Sequence, residues 1–94
     1  MAMYIKDSDQ PMQFRIILAM RILEEVAPKL YGGGNISFMD RLALAKTWYN
    51  FLKYTSSKLL PDISSNPNEW SEEDIRKIAD SLVLYARNLI GNLL

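Results

Sequence analysis

The stretch that decides the predicted fold covers residues 37–60 and has the sequence SFMDRLALAKTWYNFLKYTSSKLL. Ser37 can accept a hydrogen bond from the unpaired amides of a helix start, and Asp40 follows three residues later, as in a capping box. Apolar residues then recur at helical spacing: Phe38, Leu42, Ala45, Tyr49, Leu52 and Leu59, flanked by Leu44, Trp48 and Phe51. This apolar arc covers close to half of the circumference. It predicts a central helix that packs against two neighbours and ends before Pro61.

The first predicted helix starts near residue 10, where Pro11 suits the first turn because its missing N–H would have no partner there. Apolar residues after it recur at intervals of three and four and share one face, namely Ile16, Ala19, Met20, Leu23, Val26 and Ala27. Pro28 cannot donate to the preceding turn, so we expect it to end or kink this helix. Three glycines at residues 32–34 complete the break.

The third predicted helix begins at Ser71, a second capping residue, and has three acidic residues in its first turn. Trp70 and Ile75 stand at the spacing of a hydrophobic staple. The predicted buried face holds Ile75, Ile78, Ala79, Leu82, Ala86, Leu89, Ile90 and Leu93. Gly91 is a natural C-terminal stop.

The sequence therefore predicts an all-α fold, a compact three-helix bundle with helices at about residues 10–30, 37–60 and 71–91. No segment alternates with a period of two residues, so no strand is expected. At 94 residues the chain is short for more than one domain. We expect a single helical domain over residues 1–94, with an N-terminal tail at 1–8 and a loop at 61–70.

Composition excludes several classes of function. The chain has no cysteine or histidine, which excludes Cys–His zinc sites, thiol catalysis and Ser-His-Asp triads. Eleven basic residues balance eleven acidic ones, so the chain lacks the global positive field of a free-standing nucleic-acid binder. The N-terminus has no apolar signal core, and the apolar-rich run at residues 12–27 carries four charges. We expect a cytoplasmic protein without a membrane span.

Phe14, Leu18 and Ile22 lie off the main face of the first predicted helix and form a second apolar stripe. Leu84 projects from the polar side of the third. The stripe either packs within one subunit or meets another chain. We expect the second, with a second copy completing the core across a two-fold axis, because three such helices offer few surfaces to cover two faces. These four residues are the predicted protein interface.

A basic edge is predicted on the segment at residues 37–60. Lys46 and Lys53 share one side of this helix, with Tyr54 beside them and Lys58 following. Such an edge could contact phosphates and stack a base. The plain alternative is that the lysines form the solvated face of a surface helix. A nucleic-acid surface with so few lysines would be weak and strongly sensitive to salt.

The remaining motifs predict no catalysis. Glu24 and Glu25 are adjacent, and neighbours in a helix point about 100° apart, so they cannot readily share a substrate or metal. The glycines at 32–34 lack the Lys-Ser/Thr ending of a phosphate loop. We expect no enzyme, no cofactor and no metal. The predicted function is a protein–protein interaction module, an accessory or scaffolding subunit that acts through an exposed apolar helix face. The alternative is a nucleic-acid-contacting subunit of a larger processing complex.

Overall fold

The computed structural model describes residues 9–55 and 57–91, with side chains from residue 12 onward, so the predicted tail at 1–8 and Leu93 lie outside the described residues. Over these ranges the chain forms three long helices and no strand, which confirms the predicted all-α bundle. Helix α1 covers residues 9–30, α2 is Phe38–Tyr54, and α3 is Glu72–Gly91, preceded by a 3₁₀ turn at Pro67–Glu69. None of the helices in the described part of the chain has the length and apolar character needed to cross a bilayer.

Helix α1 changes its hydrogen-bonding pattern just before its proline. It is α-helical over Asp9–Arg21, π-helical over Ile22–Val26 and α-helical again over Ala27–Leu30. The Ala27 amide donates to the Ile22 carbonyl, five residues back. Pro28 has no amide N–H and its ring crowds the preceding turn, so the wider π turn accommodates it. The expected kink is thus a π turn, and the helix continues past Pro28.

Glycines shape the linker between α1 and α2. Gly32 and Gly34 have φ values of 95° and 77°, in the left-handed region that other residues rarely adopt. Helix α2 then starts at the predicted cap, where the Asp40 amide donates to Ser37 Oγ at 3.1 Å. The linker sequence therefore reverses the chain, and Ser37 fixes where the next helix begins.

Helix α2 ends at Tyr54, not at residue 60 as predicted. The Thr55 hydroxyl donates to the Phe51 carbonyl at 2.9 Å. The Thr55 amide bonds the same carbonyl at 3.0 Å. These bonds satisfy a last-turn carbonyl as the chain leaves the helix. The placement of Lys58 and Leu59 on this helix is therefore wrong, because both lie in the loop that follows.

Helix α3 begins with the predicted cap. The Ser71 amide donates to Asp74 Oδ2 at 2.9 Å, and the Asp74 amide donates to Ser71 Oγ at 3.3 Å, which is a reciprocal capping box. Trp70, just before the cap, is buried and donates from Nε1 to the Ser64 carbonyl at 2.7 Å. Its ring packs edge-to-face on Tyr49 of α2, with centroids 5.1 Å apart. The loop is therefore tied to α2 where α3 starts.

Helix α3, not α2 as predicted, is the centre of the bundle. Among the described residues, α3 packs along α1 and against α2, whereas α2 meets α1 mainly through Ala27–Leu30. The apolar arc of α2 is not covered on both sides, since Phe38 is 55% exposed and Leu42 is half-buried. The core comprises Ala19, Ile22, Leu30, Ala45, Tyr49, Trp70, Ile75, Ile78, Ala79, Leu82 and Ala86.

Arg41 joins the ends of the three helices. The residue is 8% exposed, and its Nε donates to the Leu30 carbonyl at the end of α1 at 2.7 Å. Its Nη1 donates to both carboxylate oxygens of Glu72 at the start of α3. The C-terminal end of α1 is thus beside the N-terminal end of α3. The two helices run antiparallel, and the first turns of α1 lie toward the end of α3 that finishes at Gly91.

Candidate interaction surface

The N-terminal half of α1 exposes a concentration of large apolar side chains. The exposed fractions are 42% for Met12, 67% for Phe14, 39% for Ile16, 56% for Ile17 and 47% for Met20. Burial begins further along the helix, at Ala19 and Ile22, which are fully enclosed. Contiguous exposed apolar surface of this kind marks interaction sites in folded proteins. This half of α1 is therefore the candidate site.

A shallow groove, here named the α1 groove, lies on this half of the helix. Phe14, Ile17, Leu18 and Arg21 line a cavity of about 280 Å³. These positions are i, i+3, i+4 and i+7, so the four side chains share one helix face. Helices that bind one another present their anchor residues at this spacing. The groove is apolar along its length and carries a cation at one end.

The structure divides the predicted interface stripe. Phe14 is exposed and Leu18 is half-buried, and both line the α1 groove. Ile22 is fully buried in the core cluster that α1 shares with α3. The placement of Ile22 on an exposed stripe is therefore corrected, because the bundle already encloses this side chain. Two members of the predicted stripe thus remain available to a second chain.

Two residues of the predicted buried face of α1 are exposed. Ile16 and Met20 were expected in the core and are 39% and 47% exposed. Ala19, which was predicted to be buried, and Ile22, which was not, lie in the core cluster with residues of α3. The spacing between packed helices depends on the side chains at the contact, and the small Ala19 side chain permits a close approach there. The predicted face is therefore buried or half-buried at Ala19, Leu23, Val26 and Ala27, and it is wrong only for Ile16 and Met20.

Ile17 lines the α1 groove, although the predicted stripe omits it. A sequence signal for its exposure exists. Residues 16–18 are three consecutive apolar residues, and successive side chains on a helix point about 100° apart. Their combined arc of about 200° exceeds what one packed face covers. At least one of the three must therefore face solvent or a partner.

Leu84, the fourth predicted interface residue, lies on α3 and is 48% exposed. It is not among the residues that line the α1 groove. Single exposed leucines are common on protein surfaces. Its role in an interface stays a prediction.

The predicted basic edge is exposed but divided. Lys46 and Lys53 lie on α2, and Tyr54 is the last residue of that helix, with 90% exposure. Because α2 ends at Tyr54, Lys58 lies in the loop and does not extend the edge along the helix. Two lysines on one helix side are also what an ordinary solvated face carries. Contact with nucleic acid through these residues stays a prediction.

The other surface depressions offer mixed charge. One of about 490 Å³ is lined by Glu72, Glu73, Arg76, Lys77 and Asp80 on α3. Both signs of charge alternate there, so it does not concentrate charge for an ionic ligand. Within the part of the chain that the structure describes, every buried side-chain nitrogen and oxygen has a hydrogen-bond partner. In the same residues no three potential ligand side chains of the types His, Cys, Asp or Glu group to hold a metal.

Tyr31 fastens the linker after α1 to helix α3. Its hydroxyl donates a hydrogen bond to Asp80 Oδ1. Partial burial, followed by this hydrogen bond and the negative charge of Asp80, raises the pKa of Tyr31 to about 12 from its ordinary 10.0. The contact therefore requires the protonated phenol.

We expect the Tyr31–Asp80 contact to stabilise the fold at neutral pH and to be lost in alkali. Because the folded-state pKa lies above the unfolded value of 10.0, the contribution is complete below about pH 10 and disappears as the pH rises toward 12. The measurement is phenolate absorbance of the natural chain and of Tyr31→Phe over this range. Their difference should titrate near pH 12, and a difference that titrates near pH 10 would contradict the assignment.

The α1 groove is the candidate functional surface of the described residues. It combines exposure, apolar lining and regular helical spacing, and its helix is held in place by the core at Ala19 and Ile22. No protein-family model matches the chain, and no curated protein or solved structure matches it significantly.

Proposed function

We propose that this protein is a non-enzymatic interaction module, an accessory or scaffolding subunit, that binds another polypeptide on the exposed half of α1. One observation carries the proposal. Among the described residues ten large apolar side chains are exposed, and five of them lie between residues 12 and 20. A partner that packs along this half of α1 removes several of them from water at once.

The energetics support a contact that uses the whole half-helix. Complete burial of one large apolar side chain stabilises by roughly 1.5–3 kcal/mol. Phe14 and Ile17 are 67% and 56% exposed, so covering the remainder gains about half of that for each. Association costs roughly 4–15 kcal/mol in lost freedom. Two anchors are therefore insufficient, and further apolar contacts along this half of α1 must add to the gain.

The bundle presents this surface in a fixed orientation. The second half of α1 is anchored by Ile22 and Leu30, which are fully buried, and its last carbonyl is bonded by Arg41. The exposed half continues the same helix without a break in hydrogen bonding, through a π turn. A surface that is already ordered loses little conformational entropy on binding.

Photocrosslinking tests the proposal in cells that express the chain. A benzoylphenylalanine replaces Phe14 in one variant and Tyr54 in a second, which is a matched exposed aromatic on α2. We expect a discrete protein adduct from position 14, and its loss when Ile17→Glu is added, because a charge in the α1 groove is costly to bury.

Position 54 is the control and also probes the alternative function. We expect no comparable adduct there. Absence of an adduct at position 14 would contradict the proposal. A nuclease-sensitive adduct confined to position 54 would instead support contact between the basic edge and nucleic acid. Circular dichroism of Ile17→Glu should show an unchanged helix content, since the side chain is exposed.

A further inference from the structure

We infer that the occupant of the α1 groove is an amphipathic helix of another protein whose apolar ridge is flanked by acidic residues; this rests on the proposed function. Residues 10–23 contain Arg15 and Arg21 and no acidic residue. Both arginines are exposed, and Arg21 lines the groove. The stretch at residues 10–23 is therefore apolar and positively charged, whereas Asp9 precedes it and Glu24 and Glu25 follow it.

These two arginines have no ion-pair partner within the described residues, where the one ion pair joins Arg41 and Glu72. Glu24 and Glu25 follow one turn after Arg21, but neither lies within ion-pair distance of it. Arg15 and Arg21 lie six positions apart along the helix, with Arg21 in the lining of the groove and Arg15 next to Phe14 in the sequence. A partner with carboxylates beside its apolar ridge meets both guanidinium groups, and such charge-assisted hydrogen bonds are stronger than neutral ones.

A second copy of the chain fits this surface poorly. In an antiparallel pair of α1 helices centred on Ile17, the apolar grooves face each other. Arg21 then lies opposite Gln13 of the copy, so it has no acidic partner. The interface would also contain four guanidinium groups. Centring the pair near residue 20 would set Arg15 against Glu25 of the copy. The groove would then face Leu23, whose side chain already packs against the core of its own subunit. Neither of these two registers both fills the groove and pairs the charges.

The spacing of the groove indicates a helical occupant. Residues 12–21 span about 15 Å of helix, which is close to three turns. A ridge of side chains at i, i+3 or i+4 and i+7 on a second helix interdigitates with such a surface. An extended peptide would need unpaired backbone groups on the surface to bond its own N–H and C=O groups. A helical occupant pairs these groups internally. The occupant is therefore a helix of at least three turns.

A displayed peptide library tests the inference. Each peptide has leucine at positions i, i+3, i+7 and i+10, which form an apolar ridge on a helix. The positions beside this ridge vary among Glu, Lys, Gln and Ala. The library is selected on the natural chain, on Arg15→Glu/Arg21→Glu, and on Ile17→Glu. We expect Glu to exceed Lys at the flanking positions by about tenfold on the natural chain. The preference should reverse on the double variant, and Ile17→Glu should retain no binders.

Other outcomes overturn the inference in distinct ways. Selected peptides without an acidic preference, or no selected peptide, would contradict it. Sedimentation that shows a dimer dissociated by Ile17→Glu would assign the surface to a second copy. Stronger binding to phosphatidylserine vesicles than to any selected peptide would assign it to an anionic lipid surface. In any of these cases, a crosslinked protein adduct at position 14 would still support the proposed function. Absence of that adduct would contradict both the proposed function and this inference.

Discussion

Replacing Leu82 with alanine is expected to lower the free energy of unfolding by about 2–5 kcal/mol, because the lost apolar contacts leave a cavity. Leu82 is fully buried on α3, the helix that packs against both of the others. Its core cluster includes Ile22 from α1 and Tyr49 from α2. The loss is a large fraction of the roughly 5–15 kcal/mol that stabilises a typical domain.

Leu84→Ala is the matched control, since it makes the same chemical change two residues along the same helix at a side chain that is 48% exposed. We expect it to change the stability by no more than about 0.5 kcal/mol. Urea unfolding followed by circular dichroism measures both variants. Should Leu82→Ala fail to fold, Leu82→Met conserves volume and is expected to cost less than about 1.5 kcal/mol. Equal losses from Leu82→Ala and Leu84→Ala would show that α3 is not buried as described.

Features encoded within a few adjacent residues were predictable from the sequence. Ser37 and Ser71 both cap the helices that they were expected to cap. Each has a short side chain that bonds an amide three residues on, and that geometry depends on no other part of the chain. Trp70 is likewise enclosed beside the helix start where a staple was expected. Local chemistry is therefore sufficient to place helix starts and to count the helices.

Features that depend on packing between helices were not predictable in this way. Ile22 and Ile16 both have helical spacing to other apolar residues, and only the contact with α3 decides that Ile22 is buried and Ile16 exposed. The end of α2 depends on Thr55, whose hydroxyl bonds the backbone in competition with further helix. This end is instead set locally, and residues 55–57 are Thr-Ser-Ser, which form helix less readily than most residues, so the sequence does contain a signal for it.

The sequence contains a signal for the pairing of Arg41. It lies at i, i+4, i+8 and i+11 with Ala45, Tyr49 and Leu52, which are the buried residues of α2. A charged residue in register with a core face must be paired or bonded if the face is buried. That register therefore predicts a partner for Arg41, while the identity of the partners, Leu30 and Glu72, follows from the packing.

Arg41→Ala is expected to lower the free energy of unfolding by about 2–3 kcal/mol at neutral pH. The Leu30 carbonyl loses its 2.7 Å hydrogen bond in a buried setting, and an unsatisfied buried acceptor costs about 1–3 kcal/mol. The arginine stem also packs between the helix ends, so its removal loses contacts. Arg41→Lys should recover part of the loss, because one ammonium cannot reproduce the separate Nε and Nη1 bonds. Arg87→Ala, at an exposed site on α3, is the control and should fall within about 0.5 kcal/mol of the natural chain.

The pH dependence separates the two partners of Arg41. The hydrogen bond from Arg41 is the main cause that lowers the pKa of Glu72 below its ordinary 4.5. The Glu72 contribution is therefore complete above about pH 4.5 and is lost as the pH falls through the lowered folded-state pKa. The difference in the free energy of unfolding between the natural chain and Arg41→Ala should consequently become smaller in acid. The difference that remains at acidic pH measures the contribution of the hydrogen bond to the Leu30 carbonyl. Urea unfolding at neutral and acidic pH, with Glu72→Gln alongside, gives both parts. A difference that stays constant through this range would show that the Glu72 contact adds no stability and that Arg41 acts through the end of α1 alone.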